Sequence, residues 1–253
     1  MDVFSIKNKI ALVTGSNQGL GLVLARGLAR AGARVIINGR KENKLKNTYS
    51  ELKNEDLDVY YNAFDVIRSD QVEESIIEIE NEIGEVDILV NNAGIQIRHP
   101  LEEFPEEDWD NIIDINLKGA YVVAKQVVPG MIERQQGKII NICSLQSELG
   151  RETISPYAAS KGGLKMLTKG MATEWGQYNI QVNAIGPGYF KSEMTKELWK
   201  DEEFDNWLKG RTPANRWGDP EELVGPAIFL ASAASDYLNG HILYVDGGML
   251  SCV

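Results

Sequence analysis

Cysteine, histidine and long hydrophobic runs are scarce in this sequence of 253 residues. Its two cysteines, Cys143 and Cys252, cannot build a disulfide framework, and neither stands at a metal-ligand spacing from one of the two histidines. We therefore expect structural cysteines and no metal site. No apolar stretch approaches the roughly 20 residues that span a bilayer, and residues 1–9 lack the apolar core of a signal peptide. These absences predict a cytoplasmic protein without a membrane partner.

Positive charge is the other scarce property. The chain has 26 Lys and Arg against 37 Asp and Glu, which gives a formal net charge of -11 at pH 7. Because the phosphates of a nucleic acid require a basic surface, this balance argues against nucleic acid as a partner. If the ligand is a small anion, a few cations that face the site must attract it against the repulsion from the net negative charge of the protein.

Short apolar runs alternate with helical patterns along the whole chain, without internal repeats, low-complexity tracts or a linker. Apolar periodicity predicts helices at 20–31, 42–53, 72–83 and 156–175. Seven strands separated by helices predict a doubly wound α/β fold, with a parallel sheet covered by helices on both faces, in one domain over residues 1–253. The predicted strands are 9–14, 34–38, 57–64, 87–90, 138–142, 180–185 and 242–245.

One segment after the sixth predicted strand lacks a clean period. Residues 199–213 mix acidic and aromatic side chains. This composition fits either a mobile lid over a site or an ordinary surface helix, and the sequence leaves both alternatives open.

A glycine-rich loop follows the first predicted strand. Residues 15–21, Gly-Ser-Asn-Gln-Gly-Leu-Gly, lie where that strand turns into a helix. Small residues there let the backbone approach a pyrophosphate at the helix N-terminus. The spacing differs by one residue from the commoner dinucleotide fingerprint, so the strand before the loop and the helix after it carry most of the prediction of a dinucleotide cofactor.

The end of the second predicted strand bears on which dinucleotide binds. A carboxylate there would bind the adenosine ribose of NAD, whereas the 2′-phosphate of NADP requires a cation. The chain has no acid at this point, and Arg40 offers a planar guanidinium suited to phosphate, so NADP is favoured over NAD. Gln18 in the glycine loop adds no charge, and Arg40 could instead be only a solvated cation at a helix start.

A tyrosine and a lysine one helical turn apart, Tyr157 and Lys161, are candidates for proton transfer. The spacing alone proves little, because the same interval recurs after Tyr49 and Tyr121. Only Tyr157 has a hydroxyl residue thirteen positions upstream, Ser144, at the end of a predicted strand where sites of α/β proteins lie. The other two tyrosines have isoleucine and aspartate at that position.

Reduction of a carbonyl explains why these three residues would act together. The carbon needs hydride and the oxygen needs a proton, but a free tyrosine with a pKa near 10 is a poor base at neutral pH. The cation of Lys161 and a positive nicotinamide ring are expected to lower the pKa of Tyr157. Ser144 would hold the substrate oxygen. The trio therefore predicts a hydride-transferring oxidoreductase with Tyr157 as its general acid and base.

Over its whole length the chain resembles the short-chain dehydrogenase/reductase family. The resemblance implies a Rossmann fold with strand order 3-2-1-4-5-6-7 and usually a homotetramer. It implies a catalytic tetrad in which the backbone carbonyl of Asn116 helps to hold a water that relays protons to Lys161. From the sequence alone, the Asn116 amide could equally be satisfied within a helix. The resemblance rests on residues 14–21, 91–94, Asn116, Ser144, Tyr157, Lys161 and 187–188.

The resemblance also implies contacts to the cofactor. Asp65 is expected to face the adenine, Asn92 the adenosine ribose, and residues 185–188 the nicotinamide. Ser192 stands where the family commonly has threonine near the nicotinamide amide, and it retains the hydroxyl group. Together with the glycine loop and Arg40, the predicted cofactor-binding residues are Gly15, Ser16, Asn17, Gln18, Gly19, Leu20, Gly21, Arg40, Asp65, Val66, Asn92, Ala93, Gly94, Tyr157, Lys161, Pro187, Gly188 and Ser192.

Within that family, segments 94–100, 147–153, 191–195 and 211–218 are similar to the bacterial gluconate 5-dehydrogenases, also called 5-keto-gluconate reductases. A sugar acid carries one carboxylate and several hydroxyls, so its site needs a cation and polar side chains. Arg98 is the favoured carboxylate ligand, although arginines in these loops could instead pair with neighbouring glutamates. The predicted substrate-binding residues are Arg98, Ser144, Gln146, Glu148, Arg151 and Tyr157.

Fold and tetrad do not select the carbonyl, so other functions stay open. A 2-deoxy-D-gluconate 3-dehydrogenase and a 3-oxoacyl-carrier-protein reductase are alternatives of the same class. The acidic composition argues weakly against the second, which would need a basic docking patch. A non-catalytic dinucleotide-binding protein would be expected to lose Tyr157 or Lys161, and both are present.

Overall fold

The computed structural model describes residues 3–252, so residues 1, 2 and 253 of the predicted domain lie outside it. Seven parallel strands form one sheet in the order β3-β2-β1-β4-β5-β6-β7. The predicted seven-stranded parallel sheet and its strand order are confirmed. The strands are β1 Ile10–Val13, β2 Arg34–Asn38, β3 Val59–Asn62, β4 Ile88–Asn91, β5 Gly137–Ile142, β6 Ile180–Pro187 and β7 Ile242–Val245.

Helices cover both faces of the sheet. Side chains of β2 alternate between two hydrophobic clusters, with Val35 and Ile37 in one and Ile36 in the other. Each fully buried aliphatic side chain contributes roughly 1.5–3 kcal/mol, so both layers stabilise the sheet. The doubly wound arrangement is thus confirmed. The helices are α1 Gly19–Arg30, α2 Glu42–Asn54, α3 Ser69–Glu82, α4 Glu106–Ile113, α5 Gly119–Arg134, α6 Ser155–Trp175, α7 Lys196–Lys200, α8 Glu202–Arg211 and α9 Val224–Ala231.

The segment that lacked a clean period is helical. Most of it forms α8, which begins where the Asp201 carboxylate accepts hydrogen bonds from the amides of Glu203 and Phe204. Leu208 is fully buried, whereas Glu202 and Glu203 are exposed. The structure therefore agrees with the surface-helix alternative, and a lid motion stays a prediction.

The register of the sheet determines where the site lies. Asn91 pairs with Asn141, and Ile142 pairs with Ile185, so the carboxyl ends of β4, β5 and β6 are level. The loops that leave these strands meet at one edge, together with the loop after β1. No helix within residues 3–252 combines the length and the apolar character needed to span a membrane.

Candidate active site

A cavity of about 340 Å³ lies at the carboxyl edge of the sheet. It is lined by the loops after strands β1 to β6 and by the first turns of α6. All the predicted cofactor-binding residues except Ser16 line it, as do all the predicted substrate-binding residues except Glu148. One cavity therefore brings together the residues predicted to bind cofactor and those predicted to bind substrate.

The glycine loop forms a close-packed cradle that fits a dinucleotide. Gly15 and Gly19 have φ of 62° and 61°, a left-handed conformation that glycine adopts without strain. A Cβ atom on Gly21 would lie 2.3 Å from Asn92 Nδ2, so only glycine fits there. At Gly19 a Cβ atom would meet no described atom within 4 Å, which leaves open space at the N-terminus of α1, where a phosphate would bind.

The loops after β1 and β4 are joined by hydrogen bonds. Thr14 Oγ1 accepts from the amides of Asn92 at 3.0 Å and Ala93 at 3.1 Å. The Asn92 side chain donates to the carbonyls of Thr14 and Gly15 at 2.9 and 3.1 Å. Asn92 therefore holds the glycine loop, a structural role in addition to the predicted contact with ribose.

Ser16 does not face the cavity with its side chain. Its hydroxyl is fully buried, donates to the Val13 carbonyl at 2.7 Å and accepts from the Asn38 amide at 3.0 Å. It therefore links β1 to β2 behind the glycine loop. Arg40, by contrast, lies at the adenosine end of the cavity with 61% of its side chain exposed and its Nη1 3.8 Å from Asp65 Oδ2. That separation leaves the guanidinium available for a phosphate.

Ser144, Tyr157 and Lys161 meet at the opposite end of the cavity. Ser144 follows β5 and forms a hydrogen bond with Tyr157, while the Lys161 ammonium donates to the Ile142 carbonyl at 2.6 Å. Lys161 Nζ lies 5.7 Å from the centre of the Tyr157 ring. The other two tyrosine-lysine pairs lie elsewhere: Tyr121 is 47% exposed on α5, and Tyr49 packs edge-on against Tyr61.

Burial dominates the protonation of this pair. It raises the pKa of Tyr157 to about 12, against the opposite effect of the Ser144 hydrogen bond, and it lowers the pKa of Lys161 to about 8. The shift of the Tyr157 pKa is opposite to the predicted lowering, because the Lys161 ammonium points to a backbone carbonyl and the protein alone supplies no nicotinamide charge. The protein therefore keeps the phenol protonated, the state that donates a proton to a carbonyl oxygen.

Asn116 lies behind the cavity in a π-helical turn, Asp114–Lys118, between α4 and α5. Its side chain accepts from the Ile95 amide at 2.7 Å and donates to the Ile95 carbonyl at 2.9 Å and to Ser160 Oγ at 3.1 Å. The amide is thus satisfied by the loop after β4 and by α6, and not by its own helix. This geometry ties two walls of the cavity together, and the water relay stays a prediction.

Two arginines face the substrate end of the cavity. Within residues 3–252 neither Arg98 nor Arg151 forms an ion pair with an acid, so the surface pairs considered from the sequence are absent. Burial and the charge of Arg151 both lower the pKa of Arg98, which indicates that the two cations are close to each other. Such a pair is suited to binding an anion.

Glu148 is the predicted substrate residue that the structure does not bring to the cavity. Its carboxylate forms an ion pair with Lys165 and accepts from the Tyr244 hydroxyl at 2.7 Å. The Glu148 side chain thus points to Lys165 and Tyr244, although Glu148 lies in the same loop as Arg151. His99 is engaged elsewhere too, since its Nε2 lies 3.2 Å from Asp108 Oδ2 and its ring packs edge-on against Phe104.

Sequence reasoning missed Tyr189 and the residues around Ser192. Tyr189, Met194, Thr195 and Leu198 line the cavity from the segment after β6. Tyr189 directly follows the Pro-Gly pair that was identified from the sequence, so its position was a usable signal. Met194 and Thr195 lie in segment 191–195, which the sequence had already singled out, whereas the placement of Leu198 depends on how the chain folds back over the sheet.

Comparison with known proteins identifies the family. A sequence profile described as short chain dehydrogenase matches residues 9–203, which include the glycine loop, Asn116, Ser144, Tyr157 and Lys161. The chain belongs to the short-chain dehydrogenase family. This confirms the predicted family and the predicted class of enzyme.

Full-length relatives of this dehydrogenase have names that refer to sugar acids. It is 52% identical over 252 residues to a 5-keto-D-gluconate 5-reductase of Escherichia coli (strain K12), covering 100% of this chain and 99% of that one. It is 49% identical to a 2-dehydro-3-deoxy-D-gluconate 5-dehydrogenase of Formosa agariphila, covering 100% and 97%. A crystal structure of a gluconate 5-dehydrogenase from Burkholderia cenocepacia in complex with NADP and tartrate has a TM-score of 0.97 at 52% identity, covering 100% and 99%.

Proposed function

We propose that the protein is an NADP-dependent oxidoreductase that interconverts 5-keto-D-gluconate and D-gluconate. The observation that carries the proposal is the pair of arginines, Arg98 and Arg151, which line the cavity that contains Tyr157 and form no ion pair with an acid among the described residues 3–252. In a chain of net charge -11, two such cations in one cavity favour an anionic substrate. The similarity to enzymes named for 5-keto-D-gluconate and gluconate supports this choice.

The cofactor would extend along the cavity from Arg40 to Tyr157. Its pyrophosphate would lie on the glycine loop at the N-terminus of α1, and the 2′-phosphate would be bound by Arg40. Asn92, Pro187, Gly188 and Ser192 would surround the ribose and nicotinamide. NAD binds less favourably under this proposal, because residues 38–40 at the end of β2 include no acid that would bind the adenosine ribose.

Proton transfer is assigned to Tyr157. When bound, NADPH supplies hydride to the carbonyl carbon, and the ketone becomes an alcohol once its oxygen gains a proton. The Tyr157 phenol donates that proton, and the Ser144 hydroxyl donates a hydrogen bond to the same oxygen. Lys161 would return a proton toward Tyr157, in the predicted relay that includes Asn116. In the oxidation direction the same groups act in reverse.

Substrate orientation is assigned to the loops after β4 and β5. Arg98 would bind the carboxylate, because it faces the cavity and burial makes an unpaired guanidinium costly until an anion arrives. Gln146, whose Oε1 accepts from Ser144 Oγ at 2.6 Å, would meet the hydroxyls next to the carbonyl. Glu148 has no role in this proposal.

A second candidate substrate is 2-dehydro-3-deoxy-D-gluconate. The relative from Formosa agariphila named for it is 49% identical over the full length, close to the value for the reductase from Escherichia coli. This ligand has the same carboxylate, so the arginine pair does not distinguish the two compounds. The keto derivative of 2-deoxy-D-gluconate is a third sugar acid with the same property.

A substrate panel tests the proposal. The purified protein is assayed with NADPH and with NADH for reduction of 5-keto-D-gluconate, of the keto derivative of 2-deoxy-D-gluconate and of D-fructose, a neutral keto sugar. It is also assayed with NADP and with NAD for oxidation of D-gluconate and of the C5 hydroxyl of 2-dehydro-3-deoxy-D-gluconate. We expect a preference for NADPH and NADP, with the fastest reduction for 5-keto-D-gluconate. Failure with every sugar acid would overturn the assignment to sugar acids, and faster oxidation of 2-dehydro-3-deoxy-D-gluconate than of D-gluconate would select the second candidate.

The variant Arg98→Ala tests the carboxylate contact in the same assay. Because a charge-assisted hydrogen bond is lost, KM for the keto acid should rise by at least about tenfold while the kinetics with the neutral ketone change little. Arg30→Ala, which removes an exposed arginine paired with Glu55 far from the cavity, is the matched control. Equal losses for the acidic and the neutral substrate would exclude Arg98 as the carboxylate ligand.

We further propose that residues 1–253 form a single dinucleotide-binding and catalytic domain that assembles as a homotetramer in the cytoplasm. Three large apolar side chains on the outer helices, Trp109, Tyr121 and Met166, are 39%, 47% and 60% exposed and favour contact with other subunits. Light scattering after gel filtration measures the assembly, and a monomer mass would contradict it.

A further inference from the structure

A second cavity adjoins the substrate end of the first. It has a volume of about 510 Å³ and lies between the loop after β5 and helix α8. Three residues line both cavities, Gln146, Arg151 and Tyr189. The side chains of these residues therefore form the wall between the space in which Tyr157 lies and a space large enough for another ring system.

Contacts from α8 hold Arg151 in that wall. Its Nη1 donates to the Tyr189 hydroxyl at 3.3 Å, and its guanidinium carbon lies 4.6 Å from the centre of the Phe204 ring and 6.0 Å from that of Tyr189. Phe204 lines only the second cavity, so the aromatic face supports the guanidinium from the side away from Tyr157. A cation within about 6 Å of an aromatic face is attracted to it by roughly 0.5–2 kcal/mol.

Phe204 is itself fixed by other aromatic rings. Its ring centre lies 5.1 Å from that of Trp207, 5.6 Å from that of Tyr189 and 6.2 Å from that of Trp217. Trp217 is buried and donates to Asp205 Oδ1 at 2.7 Å. The support under Arg151 therefore belongs to a packed cluster, and the guanidinium keeps its position without an acidic partner.

From this geometry we propose that Arg151 and Tyr189 form a partition that closes the reaction cavity on the side of α8. The partition limits the protein to compact substrates and directs the charge of Arg151 toward an anionic group. Arg151 and Tyr189 are thus specificity-determining residues, and Phe204 is a positioning residue that acts through Arg151. The identity of the anion rests on the function proposed above, whereas the size limit does not.

Removal of the partition should enlarge the accepted substrates. In Arg151→Ala the two cavities merge, so a bulky neutral ketone such as trans-1-decalone gains room next to Tyr157 while a keto acid loses a cation. We expect kcat/KM for NADPH-dependent reduction of trans-1-decalone to rise at least about tenfold and KM for 5-keto-D-gluconate to rise at least about tenfold. Opposite changes for the two substrates distinguish this outcome from a damaged enzyme.

Two outcomes would contradict the proposed partition. If kcat/KM for trans-1-decalone falls together with that for 5-keto-D-gluconate, or stays at the wild-type value, Arg151 does not limit substrate size. If no keto acid is reduced but Arg151→Ala still gains activity with trans-1-decalone, the proposed substrate is overturned and the size limit is supported. Arg30→Gln, an exposed arginine outside both cavities, is the control for loss of a charge.

Phe204 is tested by a pair of variants that separate positioning from folding. Phe204→Leu keeps an apolar side chain but removes the aromatic face under Arg151, whereas Phe204→Tyr retains that face. We expect Phe204→Leu to raise KM for 5-keto-D-gluconate about fivefold with kcat within about twofold of wild type, and Phe204→Tyr to restore the wild-type KM. Equal effects of both substitutions, or a loss confined to kcat, would exclude the positioning role.

Discussion

The two ends of the reaction cavity are formed by different parts of the chain, backbone at one end and side chains at the other. At the cofactor end, backbone lies against backbone: a Cβ atom on Gly15 would stand 2.8 Å from Ala93 Cα, and Thr14 binds the loop after β4. At the substrate end, long side chains from separate segments form the wall, with Arg151 resting on Phe204. The first end tolerates few substitutions because the sheet fixes it, while the second can change its side chains and leave the sheet intact. Substitutions made at one end at a time test this difference between the two ends.

The largest effect is expected at Tyr157, where the cofactor and the substrate would meet. In Tyr157→Phe the ring remains and the proton donor is lost, so kcat should fall by about 10²–10⁴-fold. The glycine loop does not involve this hydroxyl, so the Kd for NADPH should rise far less than kcat falls, by no more than about tenfold. Steady-state kinetics and calorimetric titration with NADPH measure the two quantities. A variant with more than a tenth of the wild-type kcat would show that another group transfers the proton.

An intermediate effect is expected at the far cofactor end. Arg40→Asp replaces a cation with an anion at the adenosine end, so the ratio of kcat/KM for NADPH to that for NADH should fall by about 10–100-fold. KM for 5-keto-D-gluconate should not change, because Arg40 lies in the part of the cavity away from Arg98. Arg68→Gln, an exposed arginine that pairs with Asp70, is the matched control. A change in KM for the keto acid would mean that the two ends are coupled.

A third effect concerns stability and not catalysis, and it comes from Lys161. Its pKa in the folded protein, about 8, lies below the ordinary value of 10.5, so between these values the unfolded chain binds more protons than the folded one. Stability of the wild type should therefore rise with pH across this window relative to Lys161→Met, by up to about 3 kcal/mol. Urea denaturation of both proteins at about pH 7 and about pH 10 measures the difference. A constant difference in the free energy of unfolding would show that burial does not disfavour the ammonium.

The sequence predicted the cofactor end better than the substrate end, for physical reasons. Parallel strands, glycines with left-handed φ and residues at strand ends follow from local rules, so the loop at residues 15–21 and the position of Ser144 were accessible. The inward direction of the Ser16 side chain was not predictable, because a residue inside a binding loop can point its side chain to either side. The direction of the Glu148 side chain was not predictable because Lys165 and Tyr244, distant in sequence, hold its carboxylate.

The contact of Arg151 with Phe204 was not predictable from the sequence at all. The two residues are separated by the whole of α6 and β6, and nothing in segment 147–153, which contains Arg151, points to Phe204. The aromatic residues of 199–213 were noticed, but their period gave no direction in which they would pack. Tertiary packing of α8 against the loop after β5 decides that direction, and local propensity contains no information about it.

The hydroxyl of Thr14 affects how the cofactor end of the cavity opens. It is the shared acceptor of two amides, those of Asn92 and Ala93, and the Asn92 side chain in turn holds the carbonyl of Gly15. A fluctuation that releases the loop after β4 thus also releases the loop that would carry the pyrophosphate. The two loops would therefore open together, as one cooperative unit in hydrogen exchange. The coenzyme would leave through a single opening event and not through two successive ones.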